Sequence, residues 1–278
     1  MEVVYRLDTT AWKSRVRPAD GRSARERLEE GNRTFAALCD EDADASTNVI
    51  HVHEAALGAP GEAPPQRPFA AVLGCADARV PVELVFQQAF NDIFVVRVAG
   101  NVLGPESLGS LAFAAEHMAE SLRIVTVLAH SGCGAVTAGV DAFLHTADYP
   151  TGLFGVPLRA IVDRVLLSIR VSDSALERVG AASARSRAGY REALIETAVA
   201  VNAALTAMTL ERELAERVPR ELGIAFGVYD LASHRVGIPG SMRDDAVALL
   251  EPPRDADALE ALAAEVAASS KVATLLEG

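Results

Sequence analysis

The chain reads as an α/β protein, with a central, mostly parallel β-sheet flanked by helices. Two short, nearly all-apolar runs, Phe69-Ala-Ala-Val-Leu-Gly74 and Ile124-Val-Thr-Val-Leu-Ala129, are bounded by polar residues or glycine. They lack the alternation of a half-solvated strand, as expected for parallel strands covered on both faces. Helical segments alternate with the apolar runs, which is the pattern of successive β-α units joined by right-handed crossovers. Finally, 278 residues, 50% of them hydrophobic, suffice to bury one large core with extensions.

Each element follows in order. Residues 1–22, with Trp12 among basic residues, form an N-terminal arm. Ser23 can cap a helix running through Leu28 and Phe35, after which the acidic 40–46 segment and an Ala-Pro-rich stretch to Pro68 make a long loop. The first apolar run then delivers Cys75. Residues 82–90 read as a short helix, 93–98 as a strand, and 107–122 as a helix leading into the strand that ends near His130. A helix is expected from Gly134 to about Leu144, its amino end directing unpaired N–H groups and positive dipole toward Cys133. Residues 157–218 look almost wholly helical, with an apolar stripe over 190–214 that needs a broad surface to cover it. The run 224–229 is the last strand, and the Ala-, Glu- and Leu-rich tail reads as one or two amphipathic helices. The expected organisation is an arm (1–22), a catalytic domain (23–240) and a helical C-terminal extension (241–278).

Charge and composition limit the partners. The 26 Lys and Arg against 38 Asp and Glu give a net charge of −12, which argues against nucleic acid or an anionic membrane. No uninterrupted apolar run approaches the roughly 18 to 20 residues of a bilayer span, and the charged amino terminus lacks a following apolar stretch. A cytoplasmic protein is expected. Internal repeats, a P-loop and a dinucleotide fingerprint are not found in the sequence.

The chemistry gathers in two motifs, Cys75-Ala-Asp77-Ala-Arg79 and His130-Ser-Gly-Cys133. Zinc takes sulfur and nitrogen ligands tetrahedrally, and three protein ligands leave one position for water, whose pKa the metal lowers toward neutrality. His130 and Cys133 are spaced so that both reach one ion where a loop turns into a helix. Cys75 joins them if the two apolar strands are neighbours, because open α/β sheets place ligands at the carboxyl ends of their strands. Cys39 has no nearby His or Cys and reads as a packed or half-exposed free thiol. That leaves no cysteine pair for a disulfide, which fits a reducing compartment. His51 and His53 read as surface-loop residues, and His117, His145 and His234 carry no assigned role.

With these motifs the chain resembles the β-class carbonic anhydrases, whose members carry Cys-x-Asp-x-Arg and then His-x-x-Cys. The similarity extends to Phe94-Val-Val-Arg97-Val-Ala-Gly-Asn101, to Leu28-Glu-Glu-Gly-Asn32-Arg-Thr-Phe35 and to Gly227-Val-Tyr229-Asp230, covering about residues 25–240. The resemblance implies one zinc ion per subunit on Cys75, His130 and Cys133, with Asp77 and Arg79 as the catalytic dyad. It implies reversible hydration of carbon dioxide to bicarbonate and a proton through zinc-bound hydroxide, which Asp77 orients. It also implies substrate contacts from Gln66, Phe94 and Phe113, and a homodimer or larger homo-oligomer to which Gln66 and Phe113 contribute across subunits. Family members with bicarbonate control hold that ion by Trp, Arg and Tyr. Here Arg97 and Tyr229 are kept but Val72 replaces the Trp, so such control is expected to be weak or absent.

Several alternatives stay open on the residues themselves. The three ligands plus Asp77 could form a closed structural site, Asp77 and Arg79 could be a turn salt bridge, and Gln66 a solvated loop amide. Arg97 and Tyr229 could be structural. The same five motif residues would also serve a hydrolase of carbonyl sulfide or carbon disulfide, or a silent zinc- or bicarbonate-binding protein.

Overall fold

The structure, a computed structural model, describes residues 2–8, 17–40, 47–53, 61–145, 155–179, 184–215, 217–218, 222–239 and 247–277. Trp12, most of the 40–46 acidic segment and Gly240 lie outside them.

The chain forms β1 (Glu2–Asp8), α1 (Gly21–Cys39), β2 (Thr47–His53), β3 (Ala70–Gly74), α2 (Val82–Val85), β4 (Ile93–Arg97), α3 (Pro105–His117), β5 (Ile124–His130), α4 (Gly134–Leu144), α5 (Val156–Val179), α6 (Tyr190–Ala215), β6 (Gly223–Tyr229), β7 (Val236–Gly237), α7 (Ala256–Ala267) and α8 (Ser270–Glu277). The main sheet runs β4-β3-β5-β6-β7. Its first four strands are parallel and β7 returns antiparallel to β6. Every residue of β3 and β5 is buried. Their side chains alternate between two cores: Ala71, Leu73, Val125 and Val127 pack among the helices α3 to α8, while Ala70, Val72, Ile124 and Leu128 pack with Leu28, Phe35 and Phe86 of the α1 and α2 side. Helices therefore cover both faces, which is why these strands read as continuous apolar runs.

Three expectations need correction. The arm and the long loop each contain a strand: β1 and β2 pair in parallel as a second small sheet. His51 and His53 thus lie on β2, where alternate residues Ile50 and Val52 turn inward against Ala89, Val3 and Leu84. The alternation that makes this a strand was hidden by its brevity and by a partner about 45 residues upstream (Glu2 opposite Thr47). Ser23 is not the helix cap. Asp20 caps α1 by accepting from the Ser23 N–H at 2.8 Å, and Ser23 Oγ answers the Asp20 N–H at 3.2 Å. Helix α6, at 26 residues, is long and apolar enough by length and composition to cross a membrane. Most of it is buried instead, as a core helix against the sheet, α5, α7 and α8.

Two contacts fix α1 on the sheet. A Cβ on Gly31 would stand 1.8 Å from the Phe86 carbonyl oxygen, so only glycine permits this approach. Beside it, buried Asn32 donates to the carbonyls of Val85 and His234 and accepts from the Val236 N–H at 2.7 Å. Helices α7 and α8 are part of the core: Leu259, Val266, Val272 and Leu276 are buried in the same cluster as α6.

Candidate metal centre

The positions of the three candidate ligands follow from strand register. Cys75 immediately follows β3 and His130 ends β5; the strands are direct neighbours, with Gly74 opposite Leu128, so both residues emerge at the same carboxyl rim. Cys133 is the N-cap residue of α4, following a turn at Gly132 whose φ of 62° suits glycine. The side chains of Cys75, His130 and Cys133 are buried, and one donor atom from each lies within 4.8 Å of the others. The two sulfurs are 3.9 Å apart.

His130 Nδ1 lies 3.0 Å from the Ser131 carbonyl oxygen, which makes it the protonated nitrogen and leaves the Nε2 lone pair for the cluster. Nε2 is itself buried and has no hydrogen-bond partner among the described residues. A buried, orphaned imidazole nitrogen beside two thiols is what a metal would satisfy, and a sulfur and nitrogen donor set matches zinc. The hydrogen bond with Cys133 pulls the Cys75 thiol pKa down against the opposing effect of burial, and the Gly100 N–H adds to it at 3.3 Å. Cys133 is pushed up by that same bond and by burial. Burial disfavours a charged His130, but the Cys75 thiolate outweighs it and raises the imidazole pKa.

Asp77 and Arg79 form a dyad at the edge of this cluster. Arg79 Nε and Nη2 reach the two carboxylate oxygens at 3.0 and 2.7 Å, and the Arg79 N–H adds a third bond at 2.9 Å. The Arg79 side chain, outweighing burial, holds the Asp77 carboxyl far below the usual carboxylate range. Asp77 Oδ2 lies 3.7 Å from His130 Nε2, so the carboxylate borders the donors while both its oxygens remain engaged by Arg79. Arg97, at the end of β4, donates through Nε to the Cys75 carbonyl at 2.9 Å and through Nη2 to the Asp77 carbonyl. It thereby fixes the backbone that carries Cys75 and Asp77. Tyr229 ends β6, with Oη 3.0 Å from His234 Nδ1. Val72 is fully buried in the sheet.

Gln66 and Phe94 line a shallow cavity of about 350 Å³ with Pro64, Pro68 and Phe90, and none of the three candidate ligands lines it. Phe113 is exposed and stacks on His117 with ring centroids 4.3 Å apart. Sequence reading missed Gly100, whose φ of 67° aims its N–H at Cys75, and Asn202 of α6, which donates to the Gly100 carbonyl at 2.9 Å. It also missed Glu196, which accepts from the Gly132 N–H at 2.9 Å. Only the Gly-Asn pair at 100–101 left a signal, as a turn; Asn202 and Glu196 come from one distant helix.

A parallel sheet with a buried Cys-His-Cys cluster and an Asp-Arg pair at its carboxyl rim defines an α/β protein with a candidate metal centre. The sequence profile of the carbonic anhydrase family matches residues 70–236. Carbonic anhydrase 2 of Mycobacterium tuberculosis is 36% identical over 142 residues, 51% of this chain and 61% of that protein. The carbonic anhydrase of Mycolicibacterium smegmatis is 42% identical over 115 residues, 41% of this chain and 52% of that protein. The matched region thus spans only about half to three fifths of these relatives. Among solved structures, the β-carbonic anhydrase CcaA superposes with a TM-score of 0.50 at 20% identity, covering 68% of this chain and 85% of that one. A tetrameric β-carbonic anhydrase of Sordaria macrospora superposes with a TM-score of 0.50 at 16% identity, covering 62% and 80%. The chain belongs to the β-carbonic anhydrase family.

Proposed function

We propose that the protein is a zinc-dependent carbonic anhydrase that interconverts carbon dioxide and bicarbonate plus a proton, with Cys75, His130 and Cys133 holding the ion. The observation that carries this reading is the Asp77–Arg79 dyad placed against buried donors, since a closed structural site has no use for a guanidinium that occupies both oxygens of the adjacent carboxylate. When bound, the ion supplies a nucleophile near neutral pH by lowering the pKa of water. The chain's own part is orientation. Asp77 stays ionised through the neutral range, so its Oδ2 acts only as an acceptor, aligning a water beside His130 by one hydrogen bond. Arg79 holds that carboxylate by a charge-assisted, bidentate pair, and Arg97 holds the backbone beneath it.

We further read Gln66, Phe94 and Phe113 as pocket residues of a homo-oligomer. Support comes from the edge position of β4, which carries Phe94, and from the exposure of Phe90 and Phe113. Full activity in a verified isolated monomer would refute this assembly. Val72 in place of the usual Trp supports weak bicarbonate control, and the three free cysteines support a reducing, cytoplasmic setting.

The test is stopped-flow carbon dioxide hydration by the zinc-loaded protein over about pH 6.5 to 9, a range bracketing the pKa of roughly 7 expected for the activated water. Asp77→Asn is expected to lose about 100-fold or more in turnover with zinc retained. A background rate at every pH despite full zinc occupancy would defeat the proposal.

A further inference from the structure

The second ligand loop is held from behind by the C-terminal extension. Ser131 donates its N–H to the Tyr229 carbonyl at 3.0 Å, and its Oγ accepts from the Leu231 N–H at 2.9 Å. Gly132, between the two ligands of the loop, donates to Glu196 Oε1. The other Glu196 oxygen, Oε2, lies 3.0 Å from Lys271 Nζ, and the same ammonium lies 2.5 Å from Asp230 Oδ2. Asp230 spends Oδ1 on the N–H groups of Ala232 and Ser233, closing the turn that holds Ser131. One lysine of α8 thus joins the two groups that pin residues 131 and 132.

Local preference does not account for this lysine. Lys271 lies in the first turn of α8, where the helix dipole opposes a cation. The Glu196 and Asp230 side chains are only 12% and 13% exposed, and without the ammonium two nearly buried carboxylates would face each other. Burial works against charge on both Asp230 and Lys271, yet pairing prevails, holding the carboxyl below and the ammonium above their ordinary values. The backbone is shaped to admit α8: a Cβ on Gly189 would stand 1.7 Å from the Leu275 carbonyl oxygen, and Val272 and Leu276 are buried.

We propose that Lys271 is a positioning residue for the metal centre, a clasp through which the C-terminal extension holds the His130–Cys133 loop in ligating geometry by way of Glu196 and Asp230. It rests on the reading of Cys75, His130 and Cys133 as metal ligands and extends it to a part of the chain that touches no ligand.

The test measures zinc release from the zinc-loaded full chain to a chromophoric chelator. Lys271→Met keeps the stem and removes the charge, and is expected to speed release about 10-fold, at the lower end of what outer-shell partners contribute to metal affinity. Lys271→Arg is expected to stay within about twofold of the wild type, since a guanidinium still answers both carboxylates. Glu196→Ala, which also removes the acceptor of the Gly132 N–H, should speed release at least as much as Lys271→Met, and the double variant should fall short of the product of the two single effects, because the residues share a contact. Unchanged release in Lys271→Met, or additive effects in the double variant, would overturn the clasp. If Lys271→Met does not fold, Glu196→Gln and Lys271→Arg decide: faster release in the former with normal release in the latter supports the clasp, and wild-type release in both overturns it. The readout is metal release, so a wild type that holds zinc without hydrating carbon dioxide would defeat the proposed function and leave this inference standing.

Discussion

Arg79 is more than half exposed, yet it makes both side-chain bonds to Asp77, and the geometry of those bonds matters more than the charge. A lysine presents a single nitrogen and cannot reproduce the parallel two-nitrogen grip on one carboxylate. Arg79→Lys is therefore expected to leave zinc content unchanged and to lower turnover roughly 10- to 100-fold, a loss of the kind that follows misplacement of an orienting group; a rate within twofold of wild type would show that charge alone suffices. The same contrast explains which site residues could be seen in the sequence. Cys75, Asp77, Arg79, His130 and Cys133 announce themselves because their side chains are chemically distinctive and closely spaced in two short motifs. Gly100 acts through its backbone N–H, and Arg97 through carbonyls of residues 20 and more positions away. The first shows in the sequence only as a Gly-Asn turn, without its target, and the second leaves no pattern in residue type. Arg97 was left open between a structural role and a place beside bicarbonate, and its guanidinium is engaged beneath Cys75 and Asp77.

Among elements, those buried on both sides were the most legible. β3, β5 and β6 are continuous apolar runs, and α4 begins and ends where the sequence places it, because glycine follows Cys133 and the apolar pattern stops at Leu144. β1 and β2 were missed because each is half-solvated and finds its partner across an intervening helix, information that a local pattern does not carry. Between α4 and α6 the joint is ionic: Arg191 reaches Asp141 through two bonds of 2.7 and 2.9 Å. Its hydrogen bonds hold the Asp141 carboxyl below its ordinary value, despite burial. A depressed carboxylate stabilises the fold above its unfolded pKa of about 3.9, and that contribution is lost as pH falls through the lower folded value. Both side chains are more than a third exposed, at 40% and 37%, so solvent screening keeps the contribution small. Asp141→Asn is expected to cost under about 1 kcal/mol at pH near 7 in urea unfolding, and the difference from wild type should shrink below about pH 4. A difference that grows on acidification would contradict the assigned direction.

On the scale of the whole molecule, the helical tail that sequence reading set outside the catalytic domain closes its core. Helix α6 is buried on nearly every side, and α7 and α8 supply part of that cover. Leu259, Val266, Val272 and Leu276 are each at most 6% exposed. Full burial of such a side chain stabilises by roughly 1.5 to 3 kcal/mol, before allowing for compactness of the unfolded chain. Four of them, together with the α6 surface they cover, amount to several kcal/mol, comparable to the entire stability of about 5 to 15 kcal/mol typical of a domain. A chain ending after Asp255 is therefore expected to lose cooperative thermal unfolding and to aggregate, because it would expose an apolar helix face with the composition of a membrane span. Lys271→Met should keep a cooperative transition and differ chiefly in metal release, because it leaves those four apolar contacts in place. Calorimetry on both variants separates the two contributions of the tail: a sharp transition in the truncated chain would mean that the tail only clasps the ligand loop, whereas loss of the transition in Lys271→Met would mean that the charged cluster is part of what closes the core.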